Sequence, residues 1–153
     1  MAEDNATLLK SKRESLLPNH RFDVWFGNDL CIGFSQVSNL SDHMEQDVIV
    51  EGGRNNAVHV FTKPSQQPDT TTFEHGMVTK GVKADQLNLK VGDRLAVNVT
   101  ITVLEPDMIK EARTFFFENG VVVKWELGGL DAKSGEVLIE RLEIAHGGLQ
   151  EYK

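Results

Sequence analysis

The sequence predicts an all-β fold with minor α content: a β-sandwich or barrel of roughly seven or eight strands, with one or two short helices at most. Apolar residues recur at every second position within residues 22–26 and 95–103, and occur on both sides of residues 137–145. Gly27-Asn28-Asp29, Asn119-Gly120 and Lys133-Ser134-Gly135 supply turn chemistry at the short spacing of connected strands. The 153 residues are 40% hydrophobic, enough for one core without a metal or disulfide framework.

Residues 1–19 read as an N-terminal arm ahead of a β domain spanning residues 20–153. In the arm Leu8, Leu9, Leu16 and Leu17 fit one helical face, with Thr7 as N-cap and Pro18 as stop. A short docked helix and a frayed terminus both remain open there. From His20 the period becomes two. Phe22, Val24 and Phe26 alternate with Arg21, Asp23 and Trp25, and the Gly27 turn leads to Leu30, Ile32 and Phe34, a hairpin pattern. Residues 45–61, EQDVIVEGGRNNAVHVF, hold two short valine and isoleucine runs around Gly52-Gly53 and Asn55-Asn56. They predict a protruding loop or ribbon with strand character at both flanks. Residues 63–72 contain two prolines and no large apolar side chain, so an exposed connection is expected.

A short connector over residues 80–93 precedes the cleanest alternation. Leu95, Val97, Val99, Ile101 and Val103 share one face, while Ala96, Asn98, Thr100 and Thr102 form a small, uncharged, largely polar one. Residues 114–118 and 121–127 flank Asn119-Gly120, whose tolerance of positive φ predicts a two-residue hairpin turn. Phe115, Phe116 and Phe117 must alternate between faces in a strand, so at least one meets a second layer or a neighbouring subunit. The last strand carries Leu138, Leu142 and Ile144 on one side and Val137, Ile139, Arg141 and Glu143 on the other; apolar residues on both sides allow both faces to be covered.

Charge and cysteine content exclude several functions. A net charge of -7 lacks the positive field of a nucleic-acid-binding domain. Cys31 is the single cysteine, so intrachain disulfides and cysteine-based zinc sites are excluded and a reducing compartment of synthesis is expected. The start MAEDNATLLKSK has no secretory pattern, which points to cytoplasmic synthesis. Apolar runs stop far short of the roughly 20 residues of a membrane-spanning helix. The five histidines stand singly, and the Asp42, His43, Glu45, Asp47 cluster misses the calcium-loop spacing, so a solvated face is the expectation. Gly76 to Gly81 has phosphate-loop spacing, but Val82 stands where the lysine is needed. No cofactor or metal is expected.

Three ordered segments are similar to one family. Phe22-Asp23-Val24 looks like its first strand, Gly33-Phe34-Ser35-Gln36-Val37-Ser38-Asn39-Leu40 like its aromatic-Ser-Glu/Gln-Val-Ser-Gly-Leu segment, and Val50-Glu51-Gly52-Gly53-Arg54-Asn55 like its Glu-Gly-Gly-x-Asn loop. The C-terminal third matches more closely through Asn119, Val123-Lys124-Trp125, Leu130-Asp131 and the acidic aliphatic stretch that includes Glu140, Glu143 and His146. Together these resemble the tail tube proteins of contractile phages and of extracellular contractile injection systems. Over residues 61–93 the likeness weakens: the family's Lys-Arg-Gly segment and tryptophan-bearing helix are replaced by a proline-rich connector and Phe73-Glu74-His75-Gly76.

The resemblance implies a structural protein and no enzyme: a β subunit of homohexameric rings that stack into a tube, with a lumen conducting DNA or effector cargo. It implies sheath protein, baseplate hub or initiator proteins and a terminator cap as partners, within a phage tail or extracellular particle. It implies neither sequence-specific nucleic-acid binding nor membrane insertion by the subunit alone. Both the repeating tube subunit and a ring joining tube to baseplate fit. Glu51, Gly52, Gly53, Arg54 and Asn55 are assigned to contacts between stacked rings, and Asn98, Thr100 and Thr102 to the lumen lining. Two other classes remain, a soluble β-barrel binding a small molecule or peptide, and a hydrolase whose convergent groups have perturbed acidity.

Overall fold

The computed structural model describes residues 17, 19–50, 52–53, 58–76, 89–107 and 109–152. Among them eleven strands occur and no helix. In chain order these are β1 (Phe22–Phe26), β2 (Leu30–Ile32), β3 (Gln36–Ser38), β4 (Glu45–Val50), β5 (Val58–Lys63) and β6 (Asp69–Gly76). They continue with β7 (Val99–Leu104), β8 (Glu111–Phe117), β9 (Val121–Leu127), β10 (Ile139–His146) and β11 (Gln150–Tyr152). The helix considered for the arm, and the connector from residue 80 to residue 88, lie outside the described residues.

Antiparallel pairing builds a five-stranded sheet in the order β11-β8-β7-β1-β2, a four-stranded sheet β3-β6-β10-β9, and a separate two-stranded ribbon β4-β5. The larger sheets pack face to face as an open sandwich, and neither closes into a barrel. Val24, Phe26, Val99, Ile101 and Phe117 from one sheet meet Phe73 and Ile144 from the other in a shared core. Phe73 sits between the layers, its ring centroid 6.3 Å from Phe26 and 6.5 Å from Phe117. The first hairpin forms as predicted, with Gly27 at φ +67°. Phe34 lies beyond β2 yet still reaches the core, 5.2 Å from Phe73.

Three local expectations fail for non-local reasons. Asn119-Gly120 does not close a hairpin, because β8 pairs with β7 and β11 while β9 pairs with β10. Asn119 adopts φ +54°, but Gly120 is not among the residues with positive φ, so the primed turn that needs both is absent. The dipeptide instead carries the chain from one sheet to the other. Gly120 is required by the close approach there: a Cβ would lie 2.7 Å from Ile144 Cγ2 and 3.0 Å from the Phe117 ring.

The proline-rich connection ends earlier than expected. Residues 69–72 open β6, an interior strand of the four-stranded sheet, with Asp69, Thr71 and Thr72 buried. β-branched threonine suits such a strand, although the stretch has no large apolar residue. The alternation over residues 95–103 also divides. Only Val99–Leu104 is a strand; Leu95 leaves the ladder to donate its backbone N–H to Gly120 O and enters the core. Val97 is exposed and lies against Gly27. In β10 the expected double covering takes another form. Ile144 is fully buried, but Arg141 and Glu143 turn to an outer charged face.

Candidate assembly surfaces

The ribbon is exposed along most of both strands. Val48 pairs with Val60, Ile49 with His59 and Val50 with Val58. Yet Val48, Ile49, Val50, Val58, Val60 and Phe61 are each more than half exposed. Val48, Val50, Val58 and Val60 share one face and Ile49 and Phe61 the other; a two-stranded hairpin alone is marginal in water, and a four-valine patch of this kind marks an interaction surface. Of the stacking-loop residues, Gly52 and Gly53 form an exposed turn at its tip, with Gly53 at φ +98°. Glu51, Arg54 and Asn55 lie outside the described residues.

The ribbon's root is a polar knot that sequence spacing did not reveal. Lys63 Nζ stands 3.0 Å from Asp47 and 3.6 Å from Glu45 across the two strands. Just outside the root, the Asp69 carboxylate accepts from Ser41 Oγ at 2.9 Å and meets His43 Nδ1 at 2.7 Å. His43 Nε2 in turn lies 2.8 Å from Ser65 Oγ. Burial would raise the Asp69 carboxyl; hydrogen bonds from His43 and Ser41, with the field of His43, outweigh it and hold the group below its ordinary value. The sequence marked His43 in an acidic cluster, but its partner came from residues 69–72, expected to be solvated. Ser65, His43 and Asp69 share the bond order of a nucleophilic triad. Here, however, the Ser65 hydroxyl donates to Gln67 O at 2.8 Å.

The lumen candidates share the outer side of the five-stranded sheet only in part. Thr100 and Thr102 face outward on β7 and, with Trp25, Glu111, Thr114 and Tyr152, line a shallow hollow of about 450 Å³. Thr102 is only 4% exposed and lies 3.5 Å from Thr114 Oγ1. Asn98 precedes the strand, is exposed, and donates to Glu118 at 3.4 Å. Of the three consecutive phenylalanines, Phe117 enters the core, while Phe116 packs at a tilt against Tyr152, centroids 4.5 Å apart, and Phe115 lies beneath Arg113.

The family-motif residues gather on the four-stranded sheet. The Trp125 indole N–H donates to Glu140, and His75 Nε2 is 3.2 Å from the other oxygen of that carboxylate. His146 lies between the sheets, where its Nδ1 accepts from Gly148 N–H and its Nε2 donates to Thr71 Oγ1 at 2.8 Å. That pattern fixes a neutral imidazole, and burial acts the same way, holding its pKa below the ordinary histidine value. Glu143 faces outward with Lys124 at 3.6 Å, beside Arg141, which bridges Glu74 at 2.6 Å and Glu126 at 3.2 Å. Hydrogen bonding to Lys124 leads the effects that lower Glu126.

Edges differ in length. β2, β3 and β11 are three-residue edge strands, whereas β9 presents a seven-residue edge. Its pairing to β10 shifts register between Glu143 and Ile144, so Val123 is the extra residue of a bulge. A bulge and a lysine are devices that restrain indiscriminate edge pairing.

Comparison with known proteins bears on these surfaces. A family described as T4-like virus tail tube protein gp19 matches residues 18–150. No curated protein matches. Among solved structures, a chain of the anti-feeding prophage (AFP) baseplate superposes with TM-score 0.74 at 24% identity, covering 91% of this chain and 97% of that one. A chain from the sheath/tube terminator of an extracellular contractile injection system (PVC), in the extended state, gives TM-score 0.75 at 16% identity, covering 92% and 99%. A chain of the extended PVC sheath-tube complex gives 0.72 at 18% identity, covering 94% and 96%.

Proposed function

This chain belongs to the T4-like virus tail tube protein gp19 family, and from that premise we propose that it is a structural subunit of the inner tube of a contractile injection machine. It is a tube-family structural protein and not an enzyme. Copies form homohexameric rings, the rings stack, and the lumen conducts DNA or effector cargo when a surrounding sheath contracts. Sheath protein, baseplate proteins and a terminator cap are its partners within a phage tail or extracellular particle.

The ribbon is the observation that carries this reading. Six large apolar side chains on two strands are more than half exposed in the subunit, and stacking against a neighbouring ring would remove them from water. The loop from Glu51 to Asn55 at its tip then reaches across the ring-to-ring contact. The Thr100 and Thr102 face, with Asn98 beside it, lines the lumen. Ring closure also pairs strand edges that the subunit leaves open. Six copies at -7 each carry about -42 per ring, a field that keeps nucleic acid from adhering to a channel wall.

A tube-initiating ring that joins tube to baseplate is the second reading, favoured by the departure from the family pattern over residues 61–93. Native mass spectrometry with negative-stain imaging of purified protein tests both. Hexamers that grow into six-fold tubes support the tube subunit; hexamers that stay single rings until baseplate proteins are added support the initiator. A chain that stays monomeric at high concentration, with or without baseplate proteins, overturns both.

A further inference from the structure

An apolar groove of about 740 Å³ opens between the sheets, lined by Phe22, Ile101 and Val103 on one side and Phe34, Val37 and Leu40 on the other. It is an uncovered end of the core. Phe22, Phe34 and Val37 pack against the buried cluster yet stay partly exposed, and Leu40 is 42% exposed. The cause is strand length: β1 and β7 run five and six residues, whereas β3 stops at Ser38 after three, too short to roof the paired Phe22 and Val103.

The groove's mouth is also where the N-terminal arm joins the domain. Asn19 and His20 form a turn and both line the groove, so the arm departs from the groove's own rim. Sixteen residues precede Leu17, outside the described residues; extended, they reach up to roughly 55 Å, ample to fold back over a groove that begins at their root. Their composition suits an apolar seat. Leu8, Leu9, Leu16 and Leu17 fit one helical face, and within residues 1–17 three acidic side chains balance three basic ones. The net charge of -7 is therefore carried by residues 18–153, and a neutral arm is not repelled by them.

We propose that this groove is the seat of the arm's own leucines: residues 8–17 fold back on their own subunit and cover Phe22, Val37, Leu40 and Val103. Removing leucine and the groove's apolar side chains from water together is favourable in proportion to the area buried. Only Pro18 separates Leu17 from the rim, a tether that holds the arm at an effective concentration no free partner matches. The arm supplies the cover that a short β3 does not. Groove, rim turn and leucine pattern all belong to one subunit, so the proposal stands apart from the reading of the ribbon as the stacking element.

The test uses the unassembled full-length chain carrying Cys31→Ser, with Leu40→Cys as a reporter in the groove and Ile109→Cys, at a site 83% exposed, as the control. Replacing Leu8, Leu9, Leu16 and Leu17 by serine should speed maleimide labelling at position 40 on the order of tenfold and leave position 109 unchanged. An unchanged rate at position 40 overturns the proposal. If both positions accelerate, the serine variant has loosened the whole domain, and a second measurement decides. In it, Leu16→Cys joins Leu40→Cys in the otherwise intact chain, and a short bismaleimide is added at high dilution. An intrachain link supports seating on the arm's own subunit; links between chains only, or no link, overturn it.

Discussion

The imidazole of His146 stacks on the ring of Phe117, with centroids 4.2 Å apart and planes 14° from parallel. The pair joins the four-stranded sheet to the five-stranded one, because His146 ends β10 and Phe117 ends β8. Beside it the chain crosses between the same sheets at Gly120, under Ile144. One end of the sandwich is thus closed by a histidine, a glycine and a phenylalanine from three elements.

The neutral state of His146 sets a pH dependence. Its folded pKa lies below the ordinary histidine value, so the unfolded chain binds this proton more readily. Stability is full above the ordinary imidazole range and falls as pH drops through it toward the lower folded value. His146→Gln should flatten that acid limb of a urea-denaturation series. His146→Ala should cost roughly 1–3 kcal/mol at neutral pH through the lost Thr71 bond and stack.

Gly120 has no room for a methyl group. Gly120→Ala places a Cβ 2.7 Å from Ile144 and 3.1 Å from Leu95, and should destabilise by about 1–3 kcal/mol through overpacking. A thermal midpoint equal to wild type would show that the two sheets can part there without cost.

The ribbon's apolar faces should matter for assembly and not for folding. Val48 and Val60 are directly paired and exposed, so Val48→Lys with Val60→Glu keeps a favourable cross-strand pair. Circular dichroism and thermal midpoint should match wild type while tubes are lost. Deleting residues 50–56 should likewise leave rings but abolish tube growth; full-length tubes from either variant would remove the ribbon from the stacking contact.

Lumen lining is best probed at Thr100. Thr102 is nearly buried in the isolated subunit already, so a cysteine there would react slowly in any state. In a Cys31→Ser background, a cysteine at position 100 should be labelled more slowly by a bulky thiol reagent in tubes than in free subunits. Equal rates, matching those of an outer-surface site, would contradict the assignment.

Much of this was legible in order along the chain. Period-two alternation marked β1 and the Val99 to Val103 stretch, and Gly52-Gly53 and Asn55-Asn56 between two valine and isoleucine runs marked the ribbon and its tip. The hairpin at Asn119-Gly120 was misread because turn chemistry reports local φ and not which sheet receives the next strand. The His43 to Asp69 bond spans 26 residues, so no spacing rule could place it. Burial of residues 69–72 escaped hydropathy because Asp69 and Thr71 are satisfied by Ser41, His43 and His146 rather than by apolar neighbours.

The sequence by itself determined the all-β class, the net negative charge, the ribbon and the motif residues that carry the family. Side-chain period and φ preference are properties of adjacent residues, and both survive without a tertiary context. Only the tertiary structure decided that β8 and β9 part company, that Asp69 is buried, and that Thr102 is covered while Thr100 is less so. Those outcomes depend on which surfaces meet across the sandwich, where one methyl group at Gly120 changes what can fit.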